Sequence, residues 1–188
     1  MKNLKLKRLF LITIALLLIV ICAAEAKNTK ASNIANLFTR VNPSLSAKKA
    51  QEYANFVIQA SDKHKQDPYA IAALIVHEST VNNKAVSKGG DYGLMQVRWK
   101  VHEKAIKKEF PSVKKASDLF DARINILFGT EILKDCMNKA GGDLRGGILR
   151  YSGGNEKLVG KVTATMKELQ SKDGSTTVKK KIKTKKKK

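Results

Sequence analysis

The chain has 188 residues and a formal net charge of +21, with 37 Lys and Arg against 16 Asp and Glu. Four basic residues fall in the first 26 positions and eight lysines in 179–188, so residues 27–178 hold 25 basic against 15 acidic side chains. A body of roughly 150 residues is enough for one domain with a sizeable core, and its moderate charge does not by itself point to nucleic acid.

Residues 1–26 read as a signal peptide. Lys2, Lys5, Lys7 and Arg8 precede an apolar run from Leu9 to Ile21, and Ala24-Glu25-Ala26 is a small-x-small cleavage site. The run is shorter than the ~20 residues of a spanning helix, which favours cleavage over a retained anchor. The expected location is therefore exported, in the periplasm or cell envelope. Ile21 argues against lipidation of Cys22, since a small residue is usual before a lipidated cysteine. Loss of Cys22 with the leader leaves Cys136 alone, and no intramolecular disulfide can form.

Residues 27–47, mixed in Lys, Asn, Ser and Ala, read as a linker with a short apolar patch at Leu37 and Phe38. Tyr53, Phe56, Val57 and Ala60 then recur at helical spacing behind Ser46, a candidate cap. Asp67-Pro68 repeats the start signal, and the next helix should run from Pro68 to about Ser79. Its stretch Ile71 to Val76 is apolar on every side, so this helix should be buried. Residues 81–93 carry Gly89, Gly90 and Gly93 and favour a loop, with a small β-hairpin near 86–97. Helical patterns return at 100–109, 118–138, 143–151 and 158–170, so the fold class is mainly α. From Ser171 apolar periodicity ends, and 171–188 should form a disordered Lys-rich tail.

Glu78 is the residue with the clearest chemical potential. It closes an apolar helix, where burial and the negative end of the helix dipole both disfavour a carboxylate. A carboxyl group kept protonated near neutral pH can serve as a general acid on an ether oxygen. The alternative is that Glu78 marks a helix end where the chain meets water.

Four segments, in order, carry a resemblance. Glu78-Ser79, followed by Ala85, Ser87, Gly90 and Gly93-Leu94-Met95-Gln96-Val97, resembles the signature of the soluble lytic transglycosylases, relatives of goose-type lysozyme. Asn125-Ile126 with Gly129 resembles the family's Asn-Ile-x-x-Gly helix, and Tyr151-Ser152-Gly153-Gly154 its Tyr-Asn-x-Gly segment. Ser152 departs from the usual Asn. The resemblance implies a lysozyme-like transglycosylase domain over 48–170 that cleaves the bond between N-acetylmuramic acid and N-acetylglucosamine and leaves 1,6-anhydromuramyl ends.

In that scheme Glu78 protonates the glycosidic oxygen and then acts as base toward the muramyl 6-hydroxyl. One carboxylate suffices because the substrate supplies its own nucleophile, whereas hydrolytic glycosidases need a second. The resemblance also implies that Tyr151 holds Glu78 in place, that Ser79 and Ser87 support the region, and that Gln96 binds sugar. Met95 would line the cleft, or pack in the core with Leu94, and Gly93 would let the backbone pass close to substrate.

Asp91 is a candidate second carboxylate that would permit lysozyme-like hydrolysis, or a turn former. A non-catalytic wall-binding protein of the same fold is a further alternative. His77 reads as a satisfied or rim histidine, and Trp99 and Tyr92 stack on sugar or pack in the core. His64, His77 and His102 are dispersed, so neither a metal nor another cofactor is expected.

The expected partners are peptidoglycan glycan strands and, through Lys179 to Lys188, an anionic envelope surface. Secretion-system components join them if the protein is of the small type that opens the wall for such machinery. No nucleic acid is expected for an exported chain.

Overall fold

The computed structural model describes the backbone of residues 2–185 and the side chains of residues 12–173. The helices are α1 (Lys2–Val41), α2 (Ala47–His64), α3 (Pro68–Ser79), α4 (Trp99–Glu109), α5 (Ala122–Lys139), α6 (Leu144–Tyr151) and α7 (Glu156–Lys185). A 3-10 turn at Ala116–Phe120 precedes α5. Strands β1 (Asp91–Tyr92) and β2 (Val97–Arg98) pair antiparallel in the register Asp91↔Arg98 and Tyr92↔Val97. A bridge from Val86 to Tyr92 widens this hairpin. The molecule is mainly α with a small hairpin, as the sequence implied.

Helix α3 is the central element. Pro68 occupies its first turn, and the Asp67 side chain accepts from Tyr69 N at 2.8 Å, satisfying one of the amides that a helix start leaves unpaired. Ile71, Ala72, Ala73, Leu74 and Ile75 are fully buried, which is why the helix needs no amphipathic pattern. Helices α2 and α7 pack against it, and α5 packs in turn on α2.

Three expectations need correction. Residues 27–41 are not a linker but the last turns of α1, packed on α2. Ala31, Ile34, Ala35 and Phe38 fall at i, i+3, i+4 and i+7 and form one buried stripe, with Ile34 and Phe38 fully enclosed. The Lys, Asn and Ser residues between them occupy the other face, which is what made the segment look unstructured.

The helix expected over 118–138 is split at Asp121, whose side chain accepts from Ile124 N at 2.9 Å and caps a fresh start.

Helix α7 begins at Glu156 and runs past the expected end at 170 to Lys185. No proline interrupts it, lysine is a good helix former, and lysines complement the negative C-terminal end of the helix dipole. Lys186 to Lys188 lie outside the described residues, as do the side chains from Gly174 onward, and with them the surface assigned to the lysine tail.

The N-terminal half of α1 contrasts with its C-terminal half. Ile12 to Ile21 project away from the domain and are exposed. By length and composition, Ile12–Val41 is apolar enough to cross a membrane, a property it shares with signal sequences.

Candidate active site

Glu78 sits in the last turn of α3, and the chain leaves it abruptly. Thr80 and Val81 both adopt left-handed backbone conformations, with φ of 51° and 61°. These are costly for β-branched residues and are held by surrounding contacts, among them Thr80 N donating to Val76 O and Asn42 Nδ2 donating to Val81 O. Past this turn the carboxyl group stands at the wall of a cleft of about 390 Å³. Asp91, Gln96, Arg98, Arg150 and Tyr151 contribute to the same cleft.

Among the described residues Glu78 forms no ion pair and no hydrogen bond through its carboxyl group. Burial, reinforced by the negative charge of Asp91, pushes its pKa up to about 7. A group so placed is protonated for much of the time near neutral pH and is still basic enough to take a proton back.

Asp91 lies in the cleft but is fully engaged. Arg98 Nε donates to its Oδ1 at 2.6 Å and Arg98 Nη2 to its Oδ2 at 2.9 Å, across the β1–β2 pair. Ser87 Oγ donates to Oδ2 at 2.7 Å and accepts from Gly89 N and Asp91 N. The Arg98 hydrogen bonds, with help from Ser87, hold the Asp91 carboxyl below the usual carboxylate range. Asp91 therefore works as a cross-strand clamp as well as a turn residue, and Ser87 closes the other side of that clamp. Arg98 carried no motif; its signal was the i, i+7 spacing to Asp91 across a short hairpin.

Asn125 organises the loop that carries Gln96. Fully buried on α5, its Nδ2 donates to Tyr92 O at 2.8 Å and Leu119 O at 3.0 Å, while its Oδ1 accepts from Met95 N at 2.8 Å. Every polar atom of the amide is thus used on backbone. The resemblance pointed to Asn125 without a role; a lone Asn between Ile124 and Ile126 on a core-facing helix is the signal that could have supplied one.

Gly93 has a φ of 76°, and a Cβ there would stand 2.4 Å from Asn125 Nδ2 and 2.5 Å from Leu119 O. Its small size makes room for the Asn125 contact. Met95 is fully buried, with its Sδ 3.8 Å from Thr130 Oγ1 and its side chain against Gly129, so it packs in the core and does not line the cleft.

Gln96 does face the cleft. It adopts a φ of 50°, and its Nε2 donates to Gly93 O at 2.9 Å and Ala85 O at 3.3 Å. Its amide oxygen has no hydrogen-bond partner among the described residues.

Tyr151, at the end of α6, donates its hydroxyl to Met95 O at 2.7 Å. The proton expected to steady Glu78 is thus committed to the loop. Burial and then the nearby Glu78 charge push the phenol well above its ordinary pKa, so it stays neutral.

Ser79 Oγ donates to Ile75 O at 3.0 Å, a contact within its own helix. His77 faces α7, where its Nε2 lies 2.9 Å from Thr165 Oγ1. Lys107 covers the face of Trp99 at 5.5 Å, and Tyr92 packs against Phe120 at 6.0 Å; neither aromatic ring lines the cleft. Among the described residues no three His, Cys, Asp or Glu side chains are placed to share a metal ion.

The site is thus one unpaired carboxyl group of raised pKa, opposite a clamped hairpin and beside a sugar-sized cleft with an amide at its wall. A family model described as the transglycosylase SLT domain matches residues 55–186.

Proposed function

The chain belongs to the transglycosylase SLT family, and from that membership we propose that it is a peptidoglycan lytic transglycosylase with Glu78 as its acid and base. The observation that carries this reading is the Glu78 carboxyl itself, unpaired, at the cleft wall, with a pKa pushed up to about 7.

Protonated Glu78 donates to the oxygen that bridges muramyl and glucosaminyl rings, and that bond breaks as positive charge develops at the muramyl anomeric carbon. The carboxylate so formed takes the proton of the muramyl 6-hydroxyl, whose oxygen closes onto the same carbon. Glu78 ends the cycle protonated, and no water enters the products.

Asp91 supports the lyase over the hydrolase. A water-activating base needs a free, basic carboxylate. Asp91 has both oxygens bound by Arg98, one of them also by Ser87, and a lowered pKa.

The exposed apolar stretch Ile12–Ile21 supports export to the envelope, where the substrate lies.

Digestion of purified peptidoglycan with mass analysis of the new ends tests the assignment. Anhydromuramyl ends are expected. Reducing ends would replace the lyase with a muramidase, and binding without release would leave only a wall-binding protein.

A further inference from the structure

Helix α4 is lightly held. Of its eleven residues only Ile106 is buried, and no side chain caps its first turn. An element with so little buried surface opens at low free energy. Yet α4 carries Val101 and His102, both on the wall of the Glu78 cleft, so where it sits shapes that cleft.

The far end of α4 is fixed by a cluster of ionisable groups. Glu109, its last residue, accepts through Oε1 from Lys63 Nζ on α2 at 2.5 Å. The Glu109 carboxyl also hydrogen-bonds to the Glu131 carboxyl on α5, and two carboxyl groups can share such a bond only when one of them holds a proton. Among the described residues no donor reaches the buried Oε2 of Glu131, which makes Glu131 the seat of that proton. The hydrogen bond with Glu109, and then burial, push the Glu131 pKa up to about 7. Against burial, the hydrogen bonds from Glu131 and Lys63 hold the Glu109 pKa below its ordinary value.

The other groups that face this pair do not replace the proton. His64 on α2 is buried with its Nε2 unpartnered, and burial lowers its pKa, so it is neutral near pH 7. Asp135 on α5 adds negative charge beside Glu131, and Lys63 opposes it but is already bonded to Glu109. Lys134, also on α5, acts on His64 and keeps it neutral.

We propose that Glu131 and Glu109 are positioning residues for the cleft: the proton they share locks α4, with Val101 and His102, onto α2 and α5, and its loss frees that wall. The folded-state pKa of Glu131 stands above the ordinary 4.5, so the lock is closed in acid and is lost as pH rises through about 7. Glu78 loses its proton over the same range, so the acid and the wall of its cleft fail together. The proposal rests on the catalytic reading above only for what the wall serves.

Hydrogen exchange read by mass spectrometry tests the lock without turnover, on the full chain carrying Glu78→Gln so that the acid itself does not titrate. After correction for intrinsic exchange, protection of residues 99–109 should fall about tenfold between about pH 6 and pH 8.5, with α3 unchanged. The fluorescence of Trp99, the chain's one tryptophan, should shift over the same range, because its ring packs against the core at the start of α4. Adding Glu131→Gln gives Glu109 a permanent amide donor and should remove both changes. Glu109→Gln, whose amide can donate to ionised Glu131, should do the same. Protection that never falls in the Glu78→Gln chain overturns the proposal, as does a fall that survives in both added variants. With Glu78 intact, KM for glycan strands should rise several-fold toward pH 8.5 in the native chain and stay level in Glu131→Gln, with kcat equal near pH 6; coinciding KM curves overturn the positioning role. Failure of both chains to cleave would count against the Glu78 assignment alone, because exchange and fluorescence need no substrate.

Discussion

Arg98 grips both carboxylate oxygens of Asp91, at 2.6 and 2.9 Å, at the point where β1 and β2 face each other across the cleft from Glu78. The contact fixes the one nearby negative charge that adds to burial in raising the Glu78 pKa. Asp91→Asn removes that charge and leaves Arg98 unpaired beside the acid, and both changes favour ionised Glu78. The alkaline limb of kcat/KM, where the proton donor is lost, should move down by about half a unit to one unit. Rates on purified glycan strands between pH 5 and 9 measure the shift; an unmoved limb means that Asp91 does not influence the acid.

Glu78→Gln should separate activity from stability. Turnover should fall by roughly a hundredfold or more, the scale of general acid catalysis. The folded-state pKa of about 7 lies above the ordinary 4.5, so folding is helped most below that ordinary value, and the help is lost as pH rises through 7. The neutral amide escapes this loss, and the variant should be more stable than the native chain by on the order of 2 kcal/mol at pH 8, with little difference at pH 4. Denaturant unfolding at the two pH values reads the difference. A variant that is no more stable at pH 8 would mean that the native carboxylate is well accommodated.

Asn125→Ala should damage the site from behind. It strands Met95 N, Tyr92 O and Leu119 O in the interior, at a cost of about 2–4 kcal/mol. Because the loop bearing Gln96 depends on those contacts, kcat should fall even in the folded fraction. Equilibrium unfolding and active-site titration separate the two effects; loss of stability with native kcat would confine Asn125 to a scaffold role.

Phe38→Ala tests whether the end of α1 belongs to the domain. Phe38 is fully buried, and truncating such a side chain costs about 3–5 kcal/mol. A linker residue would cost almost nothing. Thermal unfolding of the purified chain distinguishes these outcomes.

These elements also mark what could be read from the residues. The limits of α3 were legible because Asp67 and Pro68 act locally, through one side-chain bond and one fixed dihedral. The hairpin was legible in outline because glycines punctuate it. Residues 27–41 were misjudged because their buried stripe of small and large residues gains its meaning only from α2, a partner that local composition does not reveal. Glu78 could be singled out because an acidic residue ending an apolar helix is anomalous by itself. The destinations of the Tyr151 hydroxyl, the Asn125 amide and the Asp91 carboxylate could not, since each depends on which backbone or side chain folding brings within 3 Å.

The most direct test is an NMR titration of the Glu78 side-chain carboxyl carbon in the full chain without substrate. A midpoint near 7 is expected, because burial and Asp91 both favour the protonated form. A midpoint at or below 4.5 would show a carboxylate already ionised at neutral pH, and Glu78 could not then be the proton donor.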